Sequence, residues 1–105
     1  MSTSSITRDE AIRRLHTIES KIRSLGVRRL ALFGSVLRNE ARPDSDVDVL
    51  VEFAPNEKTF DRFMALADLL EDTLQHRVEV LTTESLSPFI GPHILAEATD
   101  VLRAA

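Results

Sequence analysis

The chain has 105 residues, with 17 acidic and 13 basic side chains, a net charge of −4 and no cysteine. This length predicts a single domain, residues 1–105, with a hydrophobic core of its own. The absence of cysteine excludes disulfides, zinc–thiolate sites and thiol catalysis. Apolar runs are too short for a membrane span, and the negative charge argues against direct nucleic-acid binding. We therefore expect a cytoplasmic protein.

Positive charge is concentrated at the start of the chain. Residues 1–30 carry a balance of +4, whereas the remaining residues carry −8. The basic segment is either a solvated helix face or a docking surface for an acidic partner or RNA. The sequence alone leaves both interpretations open.

The first predicted element is a long helix. Residues 1–6 are rich in Ser and Thr and are expected to form a disordered tail rather than a signal peptide. Thr7 and Glu10 have the spacing of a capping box. Apolar residues then follow at helical spacing up to Leu25, and Gly26 can supply the left-handed stop.

The rest of the chain alternates strands with helices. Strands are predicted over residues 28–33, 46–53 and 77–82, with a helical turn from Val36 to Asn39. A long helix over 59–75 carries one apolar stripe that we expect in the core: Phe60, Phe63, Met64, Ala67, Leu70 and Leu74. A short helix is expected from Pro92 to Ala98. This order predicts an α/β (α+β) fold, a small mixed β-sheet of three to four strands flanked by helices.

Two aspartates enter the second predicted strand. Asp46 and Asp48 lie two residues apart, so their side chains should project from the same face. Asp is unfavourable in strands, and two such carboxylates repel each other. A hard divalent cation removes that conflict, and Mg²⁺ is commonly held by one or two carboxylates together with substrate phosphates.

A third carboxylate occupies a similar setting on the third predicted strand. Glu79 lies between two valines. If the second and third strands are neighbours, Glu79 can reach the face of Asp46 and Asp48. Three carboxylates can hold two metal ions roughly 3.5–4 Å apart, the arrangement used for in-line phosphoryl chemistry.

The turn before this site has features of a phosphate-binding segment. Gly34 allows close backbone approach, and successive amides in such a turn form a concavity for anions. The Ser35 hydroxyl can donate to a phosphate oxygen. Arg38 follows one turn later and can direct a guanidinium toward phosphate.

Taken together, these residues resemble the minimal nucleotidyltransferase family of the DNA polymerase β superfamily. The resemblance rests on a strand ending in Gly-Ser, followed by Asp-hydrophobic-Asp: Phe33-Gly34-Ser35-Val36-Leu37-Arg38 and Asp44-Ser45-Asp46-Val47-Asp48. The segment from Leu86 to Ala98 also resembles the family's C-terminal tail. The resemblance covers nearly the whole chain from about Thr7.

The resemblance implies a polymerase β-like nucleotidyltransferase fold and a set of roles. Asp46, Asp48 and Glu79 would be the catalytic, metal-binding acids, with Glu79 at a position where Asp is common. Gly34, Ser35 and Arg38 would bind the nucleotide. The implied reaction is Mg²⁺-dependent transfer of a nucleoside monophosphate, AMP from ATP, to a hydroxyl of a partner protein.

The resemblance further implies an antitoxin paired with a HEPN-type RNase toxin, in a hetero-oligomer or oligomer. Two alternatives stay open. One is a catalytically silent antitoxin that acts by contact alone, and the other is transfer to a small molecule or an RNA end. A Ser nucleophile elbow and a P-loop are excluded, because the Gly-x-Ser-x-Gly and Gly-Lys-Ser/Thr patterns are absent.

Overall fold

A computed structural model describes residues 5–103. Within that range the chain forms five α-helices, a short 3₁₀ turn at Thr83–Ser85 and four strands. The helices are α1 (Arg8–Thr17), α2 (Glu19–Ser24), α3 (Gly34–Leu37), α4 (Phe60–Leu74) and α5 (Gly91–Glu97). The strands are β1 (Val27–Phe33), β2 (Val47–Phe53), β3 (Val78–Thr82) and β4 (Thr99–Arg103).

The strands form one mixed sheet in the order β3-β2-β1-β4. β1 pairs antiparallel with both β2 and β4, whereas β2 pairs parallel with β3. The parallel pair requires a crossover, and α4 provides it. The predicted α/β class and mixed sheet are therefore confirmed, and the sheet has four strands.

The predicted first helix is divided in two at Ile18. Backbone angles there are φ −116° and ψ 20°, outside the helical region. The preceding Thr17 hydroxyl donates to the carbonyl of Arg14 at 2.5 Å, a local bond that competes with regular helix geometry. Apolar spacing alone did not reveal this break, because Leu15 and Ile22 are buried on either side of it.

The start of α1 realises half of the predicted capping box. The Thr7 hydroxyl accepts from the amide of Glu10 at 3.1 Å. The Glu10 carboxylate accepts instead from Arg13 and Arg14. Of the predicted tail, residues 1–4 lie outside the described residues, and Ile6 is buried against the core.

The two faces of the sheet bury different elements. One face packs beneath α1, α2 and α4, with Leu32, Val49 and Val51 in the main cluster. The other face packs beneath α5, whose Ile94 meets Phe33 and Leu50. Among the described residues, no helix is both long and apolar enough to cross a membrane.

The apolar stripe predicted for α4 is only partly in the core. Leu70 and Leu74 are fully buried, as is Leu66, which lay outside the predicted stripe. Phe60 and Met64 are exposed instead. They line a groove of about 500 Å³ together with Phe63, Val80 and residues at the ends of β3 and α4.

Candidate active site

Strand pairing brings two of the predicted acids side by side. Asp48 on β2 lies opposite Glu79 on β3 and, on its other side, opposite Phe33 at the end of β1. Residues paired across strands project from the same face of a sheet. Asp46 immediately precedes β2, two residues before Asp48. The structure therefore places Asp48 and Glu79 side by side on the α5 face at one end of the sheet, with Asp46 near enough for its charge to act on Asp48.

Crowding of these acids changes the ionisation of Asp48. Burial raises the pKa of Asp48 from 3.8 to about 6, and the neighbouring carboxylates of Glu79 and Asp46 add to the rise. The positive charge of Arg38 acts in the opposite direction on the Asp48 pKa. Asp46 is balanced separately, since its Oδ1 lies 3.3 Å from Nε of Arg77. The site thus has an excess of negative charge centred on Asp48.

Gly34 forms the wall next to Asp48. Its φ is +78°, a left-handed conformation that residues with a Cβ rarely adopt. A Cβ at this position would lie 3.0 Å from Cγ of Asp48 and closer still to its Oδ2. The helical turn α3 begins at Gly34, two residues earlier than the turn predicted at Val36, so Ser35 lies inside the turn.

Arg38 follows directly after α3. Its side chain is half exposed, and Nε donates to Glu40 Oε1 at 3.0 Å. A second bond runs from Nη1 to Glu97 Oε2. Arg38 is therefore anchored by two acids on one side, while its charge acts on Asp48 on the other.

Glu97 is a site residue that sequence reasoning missed. This last residue of α5 accepts from the Gly34 amide at 2.8 Å and from Arg38 through its other oxygen. The Gly34 amide, followed by Arg38, lowers the pKa of the Glu97 carboxyl. The sequence signal was its place in the family-like tail, but no pattern indicates that an acid 63 residues away reaches Gly34.

Other polar residues of the region serve the backbone. Ser45 Oγ accepts from the Arg42 amide at 2.9 Å and shapes the loop before β2. His16 and His76 contact backbone carbonyls of Val101 and Leu74, away from the carboxylates.

The donor set suits a hard divalent cation. Three carboxylates at one sheet end, one with a pKa raised by its neighbours, form a negative site that a cation would relieve. Over residues 5–103, no group of three or more His, Asp or Glu side chains is already gathered closely enough to hold a metal ion by itself. Mg²⁺ typically keeps several waters and completes its shell with phosphate oxygens, so an open site fits this ion.

Comparison with known proteins establishes the family. The sequence matches the nucleotidyltransferase domain family over residues 13–101. The chain belongs to this family. This nucleotidyltransferase is 44% identical over 77 residues to a Methanocaldococcus jannaschii protein provisionally named a protein adenylyltransferase, covering 73% of this chain and 82% of that one. It is 38% identical to the protein adenylyltransferase MntA of Thermococcus cleftensis, over 88% and 91% of the two chains.

Solved structures share the fold of this nucleotidyltransferase. One, provisionally described as a minimal nucleotidyltransferase, has a TM-score of 0.79 and 33% identity over 91% of this chain and 97% of that one. An MNT antitoxin solved in complex with the tri-AMPylated HEPN toxin of Shewanella oneidensis has a TM-score of 0.65. It is 19% identical, over 90% of this chain and 73% of the other, so it supports the fold alone.

Proposed function

We propose that this nucleotidyltransferase transfers AMP from ATP to a hydroxyl of a partner protein, in a reaction that depends on Mg²⁺. The observation that carries the proposal is the pairing of Asp48 with Glu79, with the Gly34 turn packed directly against Asp48. This places metal-binding oxygens beside a turn that carries Ser35 and leads to Arg38, two residues whose donors suit phosphate.

The residues divide into two groups by chemistry. Asp46, Asp48 and Glu79 would hold Mg²⁺, which supplies charge neutralisation for the triphosphate and for the leaving pyrophosphate. Ser35 and Arg38 would orient the phosphates by hydrogen bonds. Glu79 is one methylene longer than Asp. Direct pairing with Asp48 nevertheless keeps its carboxylate close enough to raise the Asp48 pKa.

The reaction balances as a substitution at the α-phosphorus. The acceptor oxygen forms a new bond to the α-phosphorus while the bond to the bridging oxygen of the β-phosphate breaks. Pyrophosphate leaves with that oxygen, and the hydroxyl proton passes to a carboxylate or to water. Precise positioning of the two reactants supplies much of the rate enhancement in reactions of this type.

Names of the relatives support a protein as the acceptor. Two similar chains are named as protein adenylyltransferases, one of them provisionally. A structural neighbour is an antitoxin bound to an AMPylated HEPN toxin. We accordingly propose a HEPN-type RNase toxin as the partner and acceptor, with this chain acting as its antitoxin in the cytoplasm.

Label transfer tests the proposal. The chain is incubated with Mg²⁺, a HEPN-type protein from the same genome and ATP labelled in the α-phosphate. We expect label on the partner, and none when the γ-phosphate carries the label instead, which separates nucleotide transfer from phosphorylation. The Asp46→Ala/Asp48→Ala variant should transfer nothing. Equal labelling by that variant would overturn the proposed site.

Neutralisation by contact alone is the second candidate. The exposed phenylalanines Phe60 and Phe89, 77% and 88% exposed, are the kind of apolar surface that protein interfaces cover. If the Asp46→Ala/Asp48→Ala variant still suppresses toxin activity at the same concentration as the wild type, contact is sufficient. Loss of suppression, with binding retained, would assign neutralisation to the transfer reaction.

A further inference from the structure

One carboxylate joins the C-terminal helix to both parts of the proposed nucleotide site. Glu97 Oε1 accepts from the amide of Gly34, and Glu97 Oε2 accepts from Nη1 of Arg38. The two donors belong to the start and the end of the same turn. A bidentate acceptor of this kind fixes their relative position as well as contributing energy.

This arrangement changes what each residue can offer to a phosphate. The Gly34 amide already donates to Glu97, so its contribution to the site is the lack of a Cβ beside Asp48 rather than an N–H. Arg38 has five N–H donors. Glu97 and Glu40 engage Nη1 and Nε, and Nη2 is the guanidinium nitrogen that these two bonds leave for a phosphate.

The position of Glu97 is supported by packing as well as by hydrogen bonds. Ile94, one turn before Glu97, is buried with Ala31, Phe33 and Leu50 on the α5 face of the sheet. The Glu97 side chain is only 30% exposed. The packing of α5 on the sheet therefore holds the Glu97 carboxylate near the end of β1, where Gly34 follows.

We infer that Glu97 is a positioning residue for nucleotide binding: it holds the Arg38 guanidinium and the Gly34 turn in the geometry that receives the triphosphate. The inference rests on the proposed function. Glu97 does not itself contact nucleotide, because its negative charge would repel phosphate; it acts through Arg38 and Gly34.

The variant Glu97→Gln separates the two bonds. Its amide oxygen can still accept from Gly34, but its NH₂ group cannot accept from Arg38. Titration calorimetry with Mg·ATP, at a temperature where each variant is folded, should show about tenfold weaker binding, the size expected for losing a hydrogen bond between charged groups. Glu97→Ala should bind at least as weakly. Glu84→Gln, a change at an exposed acid paired with Lys58, should bind like the wild type.

A double-variant cycle tests whether Glu97 affects nucleotide binding through Arg38. In an Arg38→Ala background, Glu97→Gln should cause no further loss of affinity for Mg·ATP, because its effect passes through Arg38. A general structural role would instead lower the melting temperature and leave the affinity of the folded protein unchanged.

Each contrary result has a distinct meaning. Unchanged or tighter binding by Glu97→Gln would overturn the inference, and tighter binding would show that this carboxylate competes with the triphosphate. Additive losses in the cycle would also overturn it. If the wild type binds no Mg·ATP or other Mg·nucleoside triphosphate, the proposed function fails and the inference fails with it.

Discussion

Position 34, next to Asp48, accepts only glycine. Gly34 combines a φ of +78° with a position where a Cβ would collide with the Asp48 carboxylate. Gly26, after α2, has a φ of +90° and a similar steric limit, because a Cβ there would lie 2.6 Å from Cβ of Glu57. One glycine lies at the candidate site and the other lies away from it, so the pair separates stability from function.

We predict that Gly34→Ala abolishes nucleotidyl transfer while Gly26→Ala retains it. Both changes force a strained backbone and should lower the free energy of unfolding by about 1–3 kcal/mol. Only Gly34→Ala displaces Asp48. Urea unfolding with label transfer on the same preparations checks this, and equal activity in the two variants would show that the Gly34 contact does not matter for catalysis.

Asp48 should make the fold less stable as pH rises. Its pKa is raised to about 6 in the folded protein, above the ordinary 3.8, so the folded state favours the protonated form. Its contribution to stability is greatest below about pH 4 and is lost as pH increases through 6.

With a chelator present to remove divalent cations, Asp48→Asn should therefore raise the melting temperature by roughly 2–5 °C at pH 7.5. The rise should be smaller at pH 4.5. Asp48 is only half-buried, and solvent screening keeps the gain modest. Glu84→Gln is a control that should lower the melting temperature at pH 7.5 instead, since the Thr82 hydroxyl and Lys58 lower the pKa of the Glu84 carboxyl. A difference between Asp48→Asn and wild type that does not change with pH would contradict the ionisation argument.

Among the secondary-structure elements, helix α4 contributes unequally to the hydrophobic core along its length. From Leu66 onward the helix packs Leu66, Leu70 and Leu74 into the main core, whereas its first turn leaves Phe60 exposed. Thr59 caps that first turn by accepting from the Arg62 amide at 3.1 Å. Because α4 connects β2 to β3, we expect the pairing of Asp48 with Glu79 to depend on this buried part of the helix.

Leu70→Ala should lower the free energy of unfolding by about 2–5 kcal/mol, because it leaves a cavity in a fully buried position. Phe60→Ala, in the same helix, should change it by less than about 1 kcal/mol. Chemical denaturation at matched protein concentration measures both. Similar losses in the two variants would show that the groove lined by Phe60 is part of the stable core.

Across the whole molecule, most of the basic charge near the start of the chain is paired with acidic side chains. All six arginines of residues 1–30 form ion pairs with acids of the same chain, including Arg28 with Glu52 and Arg29 with Asp100. This favours the interpretation of the basic segment as a solvated, internally paired face. Uncompensated charge lies instead on the negative end of the sheet, around Asp48.

Mg²⁺ should stabilise the whole protein through that site. At tenfold excess over its dissociation constant, an ion that binds only the folded state adds about 1.4 kcal/mol. For a domain of this size that raises the melting temperature by roughly 5–10 °C. The Asp46→Ala/Asp48→Ala variant should show no Mg²⁺-dependent shift in a thermal melt. The same shift in both proteins would indicate that Mg²⁺ binds elsewhere.

The sequence by itself determined the order of the first three strands and of the long helices, the α/β class and the family, because apolar periodicity and the Gly-Ser and Asp-Val-Asp motifs are local signals. It also identified Asp46, Asp48, Glu79, Gly34, Ser35 and Arg38 as candidates, since unfavourable residue types at regular positions are visible in a list of letters. Only the tertiary structure decided the break at Ile18, the exposure of Phe60 and Met64, and the contact of Glu97 with Gly34 and Arg38. Such features depend on which distant surfaces meet, and sequence spacing carries no information about that.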